Sequence, residues 1–250
     1  MNRSGKKMTN HVILNNIDHK DLTICTEKSV ALGDAVNKSI VFPFEFKQLQ
    51  RHYPIFFQKN ASNEQTVAVA LLGFENDENL FLTDTGWAVN YIPLAIERAP
   101  FLIGYQDVQE NGETIKQTII HLDMDSPRVN TPNGTAVFLP HGGNSEYLNR
   151  ISSILKTIDE GQASTAAFME MLNEFNLLEP VNVDIQLSNG SNNRLSGYYT
   201  INEEKLYALT GEVLETLNKG GFLMLIYMVI ASHANLADLI ERKNDKELTK

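Results

Sequence analysis

The sequence predicts an α+β protein in which a β-rich N-terminal half is packed with a helix-rich C-terminal half containing a β-hairpin. Three observations predict it. Up to Asp125 the apolar residues come in short runs or alternate with polar ones, as strands do. From Ser145 onward they recur every three or four positions, as on one face of a helix. Between the later helical stretches, "VNVDIQLS" and "RLSGYYTI" flank the turn-forming "NGSNN", the signature of a hairpin. Nothing resembles a long linker, so residues 11–243 are expected to form a single domain, β-rich over 11–125 and helix-rich over 144–243. Residues 1–10 are expected as a flexible tail and 244–250 as a second tail.

The elements follow in order. "HVILNN" and "DLTICTE" are short apolar stretches around the turn-prone "NNIDHKD", which suggests a first hairpin. "FPFEFKQLQRHYPIFFQK" (Phe42–Lys59) then places six aromatic rings in eighteen residues. Pro43 suits a first helical turn, and Phe46, Leu49 and Tyr53 share one helical face. Pro54 ends the helix, and "IFFQ" resumes as a strand. A platform for stacking bases would expose its rings beside Lys and Arg. Here Lys47 and Arg51 fall on the polar side, so the rings are assigned to the core.

The same device returns in "YIPLAIERAPFLIGY" (Tyr91–Tyr105), where a helical turn lies between two prolines and leads into a strand. Between the two blocks, "TVAVALLGF" reads as a strand buried on both faces, followed by "LFLT" and the tight turn "DTGW". "TIKQTIIHLDMD" (Thr114–Asp125) alternates as a further strand. In the second half, one helix is expected from Ser145 to a stop at Gly161, and a second carries Phe168, Met171, Leu172 and Phe175. After the hairpin, Asn202 caps a third helix with Leu206, Leu209, Val213 and Leu217 on its buried face. "FLMLIYMVI" is expected as a buried strand and "ANLADLIERK" as a closing helix.

Composition narrows the function classes. The formal net charge is −10, and it is unevenly spread: residues 1–60 are basic and the remainder is strongly acidic. An acidic body repels phosphate backbones, so no nucleic-acid partner is expected. The single cysteine, Cys25, excludes an internal disulfide framework and a zinc site of several thiolates. "MNRSGKKMTN" lacks the apolar core of a secretory signal, and the longest apolar run, Gly221–Ala231, falls well short of the ~20 residues that span a bilayer. No transmembrane segment is expected, and the cytoplasm is the default location. Signal-less export to the cell surface stays open.

Few residues suggest chemistry. His121, Asp123 and Asp125 alternate and are expected on one face of a strand, where they are sound ligands for a divalent cation. With the distant His233, His121 and Asp123 can be written as the facial triad of a non-haem iron site, with Arg242 nearby for an oxoacid. His233 opens a helix, an unsuitable place for a distal ligand. The plain alternative is the polar face of a solvated strand. "HGGN" (His141, Gly142, Gly143, Asn144) precedes a helix, where freed N–H groups and the dipole favour an anion. Its plain alternative is a glycine turn with Asn144 or Ser145 as N-cap. If this turn stands beside the Asp123–Asp125 end of the strand, the two make a pocket. Trp87 could cover a ligand, but beside "NYIP" it is assigned to plug the core. No GxSxG, HExxH or paired CxxC is present, and no cofactor is expected beyond a divalent metal at the strand.

Several blocks together resemble one family. "FPFEFKQLQRHYPIFF", "VALLGFENDENLFL", "GWAVNYIPLAIERAPF", "IHLDMDSP", "LPHGGNSEYL" and "SGYYTINEEKLYALTGEVLETL" run in an order similar to that of the bacterial SapC family, which is distinct from the peptide-transport permease of the same name. The resemblance covers His11 to about Arg242 and carries no established catalytic residues. It implies an accessory role, since such proteins are encoded near halogenase-like enzymes and outer-membrane receptors. The leading expectation is therefore a non-enzymatic accessory or interaction protein with a protein partner, homo-oligomerisation being open. The alternatives are an enzyme with a metal or anion site near His121/Asp123/Asp125 and His141–Asn144, and a structural protein of a surface layer.

Overall fold

The computed structural model describes residues 10–60, 65–110 and 112–248, and it is α+β. Of the tail expected at 1–10, all but Asn10 lies outside the described residues. In chain order the strands are β1 His11–Ile13, β2 Thr23–Ile24, β3 Lys38–Ile40, β4 Ile55–Lys59, β5 Thr66–Leu71, β6 Leu82–Thr83, β7 Gly86–Trp87, β8 Phe101–Glu110, β9 Glu113–Asp123, β10 Thr135–Ala136, β11 Leu178–Gln186 and β12 Asn192–Ile201. The α-helices are α1 Phe46–Leu49, α2 Leu94–Glu97, α3 Glu146–Glu174, α4 Glu203–Tyr207, α5 Gly211–Lys219, α6 Phe222–Ser232 and α7 Asn235–Leu248. The chain divides into two compact units, each built from two separated stretches: Met1–Gly33 with Glu97–Asp159, and Asp34–Ile96 with Glu160–Lys250.

In the first unit, an antiparallel sheet has the order β1-β9-β8, and β2 pairs with β10. The first hairpin expected from sequence does not form. "NNIDHKD" folds into local turns in which the Asn15 side chain accepts the N–H groups of Ile17 and Asp18. The two flanking strands are short and pair elsewhere. Phe101 and Leu122 are buried, as are Leu148, Ile151 and Leu155 on the first half of α3. Arg128 is buried too, and its guanidinium donates to the carbonyls of Cys25 (3.0 Å) and Glu27 (2.7 Å), tying the segment after β2 to the segment after β9.

In the second unit, an antiparallel sheet runs β11-β12-β4-β5-β3. The aromatic block lies at its centre. Phe46, Tyr53 and Phe57 have no exposed surface and Phe56 is 2 % exposed, so these four rings are core as assigned, whereas Phe42 is half-buried and Phe44 is 38 % exposed. Phe46 meets Phe168 edge-on at 6.0 Å between ring centroids. Glu45, also buried, joins the two proline-bracketed blocks: one carboxylate oxygen accepts the Phe42 N–H (3.0 Å), and the other accepts the Leu94 N–H (2.9 Å) and the Tyr91 hydroxyl (3.0 Å).

Three helical expectations are corrected. Gly161 does not stop a helix, because α3 continues through it to Glu174. It lies where a Cβ would fall 2.1 Å from the Phe44 ring, so its lack of a side chain serves packing. The expected third helix is broken between Tyr207 and Gly211, and Thr210 starts α5. "FLMLIYMVI" is helix α6 and not a strand. A continuous apolar run has no period to separate the two states. What decides is the left-handed Gly221 before it (φ 74°) and the burial of Ile226, Val229 and Ser232 at helical spacing.

The closing helix runs past Lys243 to Leu248, through part of the expected 244–250 tail. Lys243 is 1 % exposed. Its ammonium donates to Glu78 (2.8 Å) and Glu75 (3.1 Å) and pairs with Glu247 (3.2 Å). Burial opposes its charge, but these carboxylates outweigh burial and hold its pKa above the ordinary lysine value.

Candidate functional site

The sequence-nominated residues fall in both units. In the first, His121 and Asp123 share one face of β9, as alternation requires, and the register places His11 opposite Asp123 on that face. Asp125 lies beyond the strand and is exposed, so it does not continue that face. The Asp123 carboxylate accepts the Asp125 N–H at 3.1 Å and so works as a turn residue. The His121 ring lies over Gly104, where a Cβ would come within 2.3 Å of it. Among the described residues no group of three or more His, Cys, Asp or Glu is placed to hold a metal ion.

The HGGN turn is exposed, with Gly142 and Gly143 in the left-handed region (φ 85° and 90°) that suits glycine. Gly142 donates its N–H to Leu139 O and Ser145 donates its own to Val137 O, so two N–H groups expected to face an anion are already used within the fold. Ser145 rather than Asn144 caps α3, its hydroxyl accepting the Leu148 N–H at 3.2 Å. A cleft of about 270 Å³ does lie beside β9, and Asn144 lines it. Its walls from β9 are Ile119 and Ile120 rather than His121, Asp123 and Asp125, and Leu14 and Phe138 extend this apolar lining.

In the second unit, Trp87 stacks on Phe81 (6.4 Å between centroids) and donates its indole N–H to the Tyr53 hydroxyl at 2.8 Å. Tyr53 in turn donates to Tyr91 O, and burial raises its pKa above the ordinary phenol value. The half-buried indole packs against the core. His233 stacks on Phe56 at 4.8 Å, and its Nε2 lies 3.1 Å from Ile55 O. A carbonyl only accepts, so Nε2 carries the proton and is not available to ligate a metal. Burial lowers the His233 pKa, and the bond to Ile55 offsets part of that shift.

Two exposed features were not singled out from sequence. The first is the outer face of α6. The helix carries no charged residue, and its inner side packs on α1, α5, β4 and β12. Met224 (58 % exposed), Tyr227 (45 %) and Ala231 nevertheless face outward in a stripe. The spacing 224, 227, 231 was there to be read, but the strand assignment hid it. Phe222–Leu248 has the length and composition of a membrane span, but it is two helices with a break at His233 and Ala234. The second feature is the outer half of the β8–β9 hairpin, exposed at Tyr105, Gln106, Asp107, Gln109 and Thr114–Thr118. At its base the Asp159 carboxylate receives hydrogen bonds from the hydroxyls of Tyr105 and Thr118.

No curated protein and no solved structure matches the chain. The family model SapC matches residues 14–239, nearly the whole length. The chain therefore belongs to the SapC family.

Proposed function

We propose that this protein is a non-enzymatic accessory protein that works by binding another protein through the outer face of α6. The observation that carries this reading is the uncharged stripe of Met224, Tyr227 and Ala231. A helix apolar on all sides belongs in an interior, and exposed apolar patches of this kind mark interaction surfaces. The spacing suits an amphipathic helix of the partner, laid along α6 with its apolar seam inward. Methionines adapt readily to such a surface. The reading needs no cofactor, metal or nucleic acid, and it is consistent with a cytoplasmic protein.

Site-specific photo-crosslinking tests it. Tyr227→benzoylphenylalanine in living cells should yield one discrete protein adduct, and Glu215→benzoylphenylalanine on α5 should not. Met224→Lys introduced beside the probe should abolish the adduct while leaving the circular dichroism unchanged. Equal labelling from both positions, persistence of the adduct with Met224→Lys, or adducts with lipid alone would overturn the reading.

A further inference from the structure

We infer that Arg51, His52 and Arg242 form an oxoanion site, suited to the phosphate group of a monoester, where the turn after α1 meets α7. A run of packed rings links the three side chains. Arg242 on α7 lays its guanidinium over Phe81, with Cζ 4.8 Å from the ring centroid. Phe81 packs on Tyr53 at 4.6 Å between centroids, and Tyr53 meets the His52 ring edge-on at 6.1 Å. The backbone holds the two elements together as well. Asn235, at the start of α7, donates to Gln50 O at 2.9 Å, and His52 and Tyr53 both donate to Leu49 O at 2.9 Å. Arg51 is exposed and His52 and Arg242 are half-buried, so solvent reaches all three.

No carboxylate answers these cations. Among the described residues neither guanidinium has a hydrogen bond or an ion pair, and the His52 ring has no hydrogen bond. Acidic residues are close in sequence. Asp238 precedes Arg242 by four positions, the helical spacing and orientation that favour a pair, and none is made. One residue further along α7, Lys243 gathers Glu75, Glu78 and Glu247. In a chain of net charge −10, two guanidiniums left without a counter-ion run against the composition. Both act on the same imidazole: partial burial first, then Arg51 and then Arg242, lower the His52 pKa from its ordinary value.

The donor set defines the ligand. A guanidinium presents N–H donors in a planar fork that matches phosphate oxygens, and it stays charged throughout the physiological range. Two such forks and an imidazole N–H suit the charge of a dianion and the several acceptor oxygens of a phosphate group. The acidic remainder of the chain repels a nucleic-acid backbone, which leaves an isolated phosphate group. It is carried either by a small molecule or by a phosphorylated side chain.

Titration with inorganic phosphate at constant ionic strength, balanced with sodium chloride, tests the site. Isothermal calorimetry should give saturable one-site binding to the wild type. Arg51→Gln and Arg242→Gln should each weaken it by at least about tenfold, the loss expected for a charge-assisted donor. Arg194→Gln, whose side chain lies on β12 beside Asp184, should leave it unchanged. The His52 imidazole resonance, assigned by its absence in His52→Gln, should move during the titration. Arg51 is exposed, so its replacement keeps the test intact even if Arg242→Gln, which uncovers Phe81, fails to fold. Competition by free phosphoserine and by a phosphoserine peptide separates the two sources, and either result supports the site. A peptide that competes about tenfold better places the phosphate on a protein chain, and equal competition places it on a small molecule. Absence of saturable binding to the wild type, unchanged binding in Arg51→Gln, or an equal loss in Arg194→Gln would overturn the proposal. None of these outcomes depends on α6.

Discussion

Ser232 accepts the backbone N–H of Ile55 at 2.9 Å across 177 positions of sequence, and donates its own proton to Val229 O at 2.6 Å. One buried hydroxyl thereby joins the end of α6 to the first residue of β4. Ser232→Ala removes the acceptor and leaves a buried N–H unpaired, which should cost about 1–3 kcal/mol. Urea unfolding monitored by tryptophan fluorescence would show this as a lower midpoint with an unchanged slope.

His233 meets the same residue from its other side, donating to Ile55 O. Its folded pKa lies below the ordinary histidine value, chiefly through burial. The unfolded chain thus takes up the proton first as pH falls, and this contribution to stability is complete above about pH 6.5 and lost progressively below it. His233→Gln keeps a donor without the titration. Thermal midpoints between pH 7.5 and roughly 5 should fall more steeply for the wild type than for this variant.

Glu45 receives the Phe42 and Leu94 N–H groups and the Tyr91 hydroxyl. Glu45→Ala strands these donors beside a new cavity and should destabilise the fold by about 3 kcal/mol or more. Glu45→Gln retains the shape and one acceptor oxygen and should cost less. Chemical unfolding of the pair separates the lost hydrogen bonds from the lost volume.

Lys243 and Glu78 are both buried, and each depends on the other. Lys243→Ala removes the nearest cation from the buried Glu78 carboxylate, which keeps the more distant Lys246 (3.9 Å) and the Phe74 N–H (3.0 Å), and should cost about 3 kcal/mol. The double replacement Lys243→Met with Glu78→Gln should recover most of that loss. A double-mutant cycle checks it, and additive costs would refute the coupling.

The fold was legible where one residue type has one physical use. Prolines 43, 54, 93 and 100 delimit their blocks, the "NGSNN" hairpin forms, and Asn202 caps α4 by accepting the Lys205 N–H. It was not legible where two states share a composition. "FLMLIYMVI" could fill a strand or a helix, and only Gly221 and long-range packing choose. Gly161 reads as a stop unless one knows that Phe44 will lie against it. For the candidate site, the shared face of His121 and Asp123 follows from alternation, but the turn that takes Asp125 away does not. The outward stripe of α6 follows from spacing only once the helix is known.

β4 lies between β5, its near neighbour in sequence, and β12, which is made much later, as Phe57 beside Tyr199 shows. Bringing such distant partners together is entropically slow. The two local hairpins should form early and dock late, so nascent molecules expose an unfinished sheet margin to their neighbours. Substitutions in β4 or β12 should therefore first show in the soluble yield of expression at high temperature, before any change in the melting point of the finished protein.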